Sequence, residues 1–169
     1  MNSTPIETER KFLIYMPCLE TLCSQPEIRI QEINQTYLLT DGKKNARIRK
    51  ITERGKISYI KTVKERISTL SCFEDESVIS FEEYENLLLK ADTEKQSIHK
   101  IRYSFEYCKH ILEIDIYEFW DDRATLEIEL ASEDEEFAIP SFIKVIKEIS
   151  EDGRYKNTNL AKNVPYDKI

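Results

Sequence analysis

The stretch Ile6 to Ile14, "IETERKFLI", decides how the rest of the chain is read. In an extended chain, side chains alternate between faces. Glu7, Glu9 and Lys11 then share one side, and Thr8, Arg10 and Phe12 the other. The run ends in Phe12-Leu13-Ile14, which calls for burial. The opposite face sets two carboxylates and an ammonium in a row, and that needs a reason.

The same pattern returns downstream. Arg47 and Arg49 flank Ile48, Lys100 and Arg102 flank Ile101, Glu113 and Asp115 flank Ile114, and Glu127 and Glu129 flank Ile128. Glu74 and Glu76 form a further pair with a less regular phase, and Lys61 stands alone in "SYIKTV". An antiparallel sheet with its polar face in water is the ordinary explanation of alternation. Solvated faces mix charge types, however, whereas most of these strands carry one sign at neighbouring positions. Like charges side by side on a sheet repel. They become favourable when something of opposite charge sits between them.

Strand-like segments rich in Ile, Tyr, Phe, Val and Thr fall at 5–15, 28–40, 45–51, 56–64, 72–79, 97–109, 111–119 and 124–131. "DGKKN" at 41–45, "ERGK" at 53–56 and "DD" at 121–122 read as turns. The chain must also turn near Lys109 and His110, where no Gly or Asn marks it. Three helices are expected: "MPCLETLCSQ" at 16–25, "SFEEYENLLLKAD" at 80–92 with a Ser80/Glu83 capping box, and "PSFIKVIKEIS" at 140–150. About eight antiparallel strands with a few flanking helices predict an α+β fold. Its centre is a closed β-barrel, in one domain spanning 1–169.

Composition bounds the function. With 40% hydrophobic and 34% charged residues, the chain is too apolar for disorder. A net charge of −7 argues against a general nucleic-acid surface. No run approaches the ~18–20 apolar residues of a membrane helix, and the start "MNSTPIETERKF" has no signal-peptide pattern. Cys18, Cys23, Cys72 and Cys108 form no CxxC pair and only two histidines are present, so the thiols read as reduced and structural. A cytoplasmic protein is the expectation. His99 and His110 read as solvated, and Trp120 as packing at a strand end.

A barrel of eight strands is wide enough to hold one small ligand. Facing inward, Lys11, Arg47, Arg49, Lys61, Lys100 and Arg102 are what a polyphosphate needs, Arg by bidentate contact and Lys as a point charge. Glu7, Glu9, Glu74, Glu76, Glu113, Asp115, Glu127 and Glu129 are the oxygen-rich set that suits Mg²⁺ or Mn²⁺. Together they would take a metal–polyphosphate complex.

These residues resemble a known family. "IETERKFLI" is similar to the ExExK signature of the CYTH domain, the triphosphate tunnel metalloenzymes. The family's order continues with "QTYL" at 35–38, "RIR" at 47–49, "YIK" ending at Lys61 and the acids at 74 and 76. It runs on through "HKIRYSF", "LEIDIYE", "TLEIEL" and the terminal "KEISEDGRYKNTNLA". The resemblance implies an eight-stranded tunnel, a divalent metal and a small triphosphate substrate. By carry-over, Glu7, Glu9, Glu74, Glu76, Asp115, Glu127 and Glu129 surround the metal. Lys11, Arg47, Arg49, Lys61, Lys100 and Arg102 hold phosphates, with Lys11, Lys100 and Glu9 nearest the chemistry. Two departures stand out: Cys72 where the family often has Arg, with Arg66 as a candidate replacement, and Glu148-Ile-Ser in place of Glu-Val-Thr. Tunnels of this kind are often homodimers, and no exposed patch in the sequence decides the point. The implied activity is metal-assisted hydrolysis of inorganic triphosphate, with nucleoside or thiamine triphosphates as further substrates. A class IV adenylate cyclase and a non-catalytic polyphosphate- or nucleotide-binding module are the alternatives.

Overall fold

The computed structural model describes residues 6–42 and 44–169. Pro5, at the start of the first expected strand, and Lys43, in the expected DGKKN turn, lie outside the described residues.

Eight antiparallel strands close on themselves. They are β1 (Ile6–Tyr15), β2 (Arg29–Tyr37), β3 (Asn45–Glu53), β4 (Lys56–Arg66), β5 (Ser71–Ile79), β6 (Ile98–Tyr107), β7 (His110–Tyr117) and β8 (Arg123–Leu130). The order around the barrel is β5-β4-β3-β2-β6-β7-β8-β1. Closure is short: β1 meets β5 only through Ile6↔Phe73, Glu7↔Cys72 and Thr8↔Ser71.

Beyond that contact the edge of β1 is free, and β9 (Val145–Glu148) occupies it, pairing Phe12 with Glu148 and Leu13 with Lys147. The helix expected at 140–150 is therefore absent. Ile143, Val145 and Ile146 are β-branched, and the open edge of β1 offers ladder bonds that an isolated helix lacks. The bidentate contact of Arg10 with Glu148 anchors the added strand. The other two helices form, as short α1 (Leu19–Cys23) and α2 (Phe81–Leu88). Ser80 caps α2 by accepting from the Glu83 amide at 3.1 Å, and Tyr84 packs on Tyr59 with ring centroids 4.8 Å apart.

The unmarked turn between β6 and β7 runs through Cys108 (φ 50°) and Lys109 (φ 69°). A two-residue hairpin needs positive φ at both central positions, so it forms here without Gly.

The barrel has apolar packing on both sides of its wall. Outside, Phe12, Ile14, Leu112, Ile114, Leu126 and Ile128 form the main core with Leu22 of α1 and Ile143. Inside, one end is stoppered. Leu13, Tyr37, Ile98 and Tyr117 face Ile149, Tyr155 and Leu160 of the C-terminal segment. That segment is tied down by Ile149 N donating to Lys11 O at 2.8 Å and by Trp120 Nε1 donating to Pro165 O at 3.1 Å.

Candidate active site

Register sets the inner face. Residues directly opposite each other in neighbouring strands share a side. Lys11 faces Glu127, Glu9 faces Glu129, Glu7 faces Cys72, Arg102 faces Asp115, and Lys64 faces Glu74. Glu7, Glu9, Lys11, Arg47, Arg49, Glu74, Glu76, Lys100, Arg102, Glu113, Asp115, Glu127 and Glu129 all project inward, where most of them form ion pairs with one another.

On β6 and β7, and at Glu127 of β8, the inward charges are paired. Arg102 donates to Asp115 at 2.7 Å and to Glu127 at 3.1 Å, and also binds Glu113. Lys100, 2% exposed, contacts Asp115, which is 1% exposed. Lys11 binds Glu127 at 2.8 Å. Burial pushes the Asp115 carboxyl up, but Arg102 and Lys100 outweigh it and hold it at about 2. Burial, with Arg102 alongside, draws the Lys100 amine down to about 8.

The wall made by β1 and β5 is different. Glu9 and Glu129 stand opposite each other, and repulsion from Glu127, then burial, raises the Glu9 pKa. Burial and a hydrogen bond with Glu74 push Glu7 up to about 7. Burial, with Glu113 nearby, also raises Glu129. Lys64 is the main cation on this side, 3.3 Å from Glu7 and in contact with Glu74. Ligand atoms of Glu7, Cys72 and Glu74 lie within 4.8 Å of one another, close enough to converge on one ion. Glu74 is the exception on this side, held at about 2 by Lys64 despite its burial. The carboxylate oxygens of Glu7, Glu9 and Glu74 suit a hard divalent cation, with Cys72 the one soft ligand among them.

Between β1, β3, β4 and the C-terminal segment lies a cavity of about 220 Å³. Lys11, Arg47, Lys64 and Arg66 line it, with Glu9, Glu127, Tyr37 and Asn157. Tyr37 accepts a hydrogen bond from Gln35 Nε2 at 2.9 Å, which leaves its own proton to donate. The Nε–H groups of Arg47 and Arg49 are buried without an acceptor among the described residues. Burial and the neighbouring Arg47 lower the Arg49 guanidinium to about 10.

One expected phosphate ligand is misplaced. Lys61 sits opposite Ile48, and Ile48 belongs to the outer cluster with Tyr84 and Ile79, so Lys61 faces away from the tunnel. Thr62, which accepts from Arg49 Nη2 at 3.1 Å, and Lys64 hold the inner positions of β4. The sequence signal for Lys64 is its even spacing from Thr62 and Ile60. Arg66 does reach the cavity wall, though its guanidinium donates to the Ser68 and Thr69 carbonyls at 2.8 and 3.2 Å. His99 points outward between Glu32 and Glu118, at 3.0 and 2.7 Å. All four cysteines are free thiols.

A closed barrel whose interior sets ranked acids against ranked bases defines a class of metal- and phosphate-handling tunnels. The CYTH domain matches residues 5–162, and the chain belongs to that family. It is 34% identical over 163 residues to the inorganic triphosphatase of Acetivibrio thermocellus, covering 95% of each chain. The crystal structure of the inorganic triphosphatase NE1496 is similar at 28% identity and a TM-score of 0.59, over 94% of this chain and 96% of that one. The PH1819 protein of Pyrococcus horikoshii, at 21% identity, shares the fold with a TM-score of 0.60 over 76% of this chain and 80% of its own.

Proposed function

We propose that this protein is a divalent-metal-dependent hydrolase that cleaves the terminal phosphate of inorganic triphosphate. The observation that carries the reading is the buried, acceptor-less Nε–H of Arg47, which lines the cavity with Lys11, Lys64 and Arg66, together with that of Arg49 on the same face of β3. Buried donors without acceptors are costly, and phosphate oxygens satisfy them with charge-assisted bonds.

In this reading Arg47, Arg49, Lys64, Lys11, Lys100 and Arg102 take the phosphate oxygens and stabilise charge spreading over the transferred group. Lys100, held near 8, and Lys11 supply positive charge at the departing oxygen. Glu7, Glu9, Glu74 and Glu129 would hold the metal, with Glu76, Asp115 and Glu127 as further candidate ligands. Bound Mg²⁺ or Mn²⁺ supplies Lewis acidity and a water of lowered pKa. The 34% identity over 95% of the chain to an inorganic triphosphatase favours the hydrolase over the cyclase.

The test is to incubate pure protein with Mg²⁺ or Mn²⁺ and either triphosphate or ATP, and to identify the products. Orthophosphate and pyrophosphate from triphosphate are expected. Cyclic AMP as the main product from ATP would overturn the reading.

A further inference from the structure

The C-terminal segment does more than stopper the barrel. Its backbone is hydrogen-bonded around Asn157. The 3-10 turn Gly153–Tyr155 is capped by Asp152, Tyr155 is fully buried, and Ala161 N donates to Asn157 O at 3.0 Å in the four-residue α3 (Asn157–Leu160). Asn157 also lines the cavity, together with Arg47 and Lys64.

Its side chain is oriented by one neighbour. The Tyr117 hydroxyl donates to Asn157 Oδ1 at 2.7 Å, receives from Thr125 Oγ1 at 3.4 Å and lies 3.5 Å from Asp115 Oδ2. A phenol has a single proton, and the short contact takes it to Asn157, since Asp115 is already bound by Lys100 and Arg102. Tyr117 cannot drift, being 1% exposed and stacked on Phe119 with ring centroids 4.9 Å apart. With the amide oxygen engaged by Tyr117, the amide nitrogen is the group Asn157 has left to offer a ligand in the cavity that the residue lines.

We propose that Asn157 is a substrate contact whose Nδ2–H donates to a phosphate oxygen in this cavity, and that Tyr117 is the positioning residue that turns the amide toward it. The inference rests on triphosphate occupying the cavity, as proposed above. It adds one neutral, directional donor to a set of charged ones, supplied by the segment that also closes the barrel.

The test is steady-state kinetics with triphosphate on the metal-loaded enzyme. Asn157→Ala is expected to raise KM about ten- to a hundredfold, the worth of one hydrogen bond to a charged group, with kcat changed far less. Asn157→Asp keeps the acceptor for Tyr117 but turns a carboxylate toward the phosphates, so its KM should rise further while Tm stays at the wild-type value. Tyr117→Phe should raise KM by a smaller factor, and adding Asn157→Ala to it should give no more than Asn157→Ala alone. A wild-type KM for Asn157→Asp overturns the inference, because a purely structural asparagine predicts that result. If that variant does not fold, an unchanged KM in Asn157→Ala overturns it equally. Additive effects of Tyr117→Phe and Asn157→Ala overturn the positioning role. A wild-type enzyme that neither binds nor hydrolyses triphosphate overturns the reading of the cavity itself, and this inference with it.

Discussion

The two walls of the tunnel hold similar residues in opposite electrostatic states. On β6–β8, Asp115 and Glu127 are locked to Lys100, Arg102 and Lys11, and their carboxyl pKa values are driven down. On β1 and β8, Glu9 and Glu129 face each other, and with Glu7 their pKa values are driven up. The first wall is charge-paired in the ligand-free barrel. The second holds carboxylates whose pKa values burial and neighbouring acids raise. Charge pairing is thus divided between two sides of one barrel.

That division can be broken from either side. The largest effect is expected from Glu9→Gln, which should lower metal-dependent triphosphate turnover on the order of a thousandfold. Thermal unfolding should show a folded protein with unchanged or raised Tm, because a charge facing Glu129 is gone. Undiminished activity would remove Glu9 from the metal site. Next comes Asp115→Asn, which leaves Lys100 and Arg102 under-neutralised in the interior. Urea titration should show a loss of about 3–5 kcal/mol, against little or no loss for Glu129→Gln. Equal losses would erase the distinction between the walls.

A third variant pair sharpens the assignment of faces. Lys64→Ala should raise KM for triphosphate about ten- to a hundredfold, while Lys61→Ala, on the outer face, should stay within about twofold of wild type. The reverse order would mean that β4 is rotated.

The smallest effect concerns pH. Glu7, raised to about 7, prefers its proton in the folded state. Its contribution to stability is therefore full below its ordinary range near 4.5 and is lost as pH climbs through 7. Asp115 and Glu74, held at about 2, act in the opposite sense: their contribution is present above the ordinary carboxylate range and fades as pH falls toward 2. Adding Mg²⁺ to metal-free protein should then raise Tm more at pH 8 than at pH 5, because protons compete for Glu7. A pH-independent shift would take Glu7 out of the metal set.

Much of this was legible in the chain. The eight strands appear within a few residues of where alternation put them, because period two is a local property of any extended segment with unlike faces. The ExExK, Lys100/Arg102 and Glu113/Asp115 rows could be read for the same reason. Lys61 could not: in "SYIKTVKER" both phases carry a lysine and a β-branched residue, so alternation does not choose between Lys61 and Lys64. Residues 140–150 have a helical stripe, yet β9 forms there because the β1–β5 contact is only three residues long and leaves an edge to fill.

The sequence by itself determined the strand periodicity, the inward rows of like charge and, through their order, the family. Those follow from spacing along the chain, which local geometry turns into shared faces. Only the tertiary structure decided which carboxylates are neutralised, which lysine of β4 looks inward, and that Tyr117 binds the Asn157 side chain. Each of these depends on Coulomb interactions and hydrogen bonds a few ångströms long between residues far apart in the chain. Arg102 and Glu127, or Tyr117 and Asn157, become neighbours only when the barrel closes.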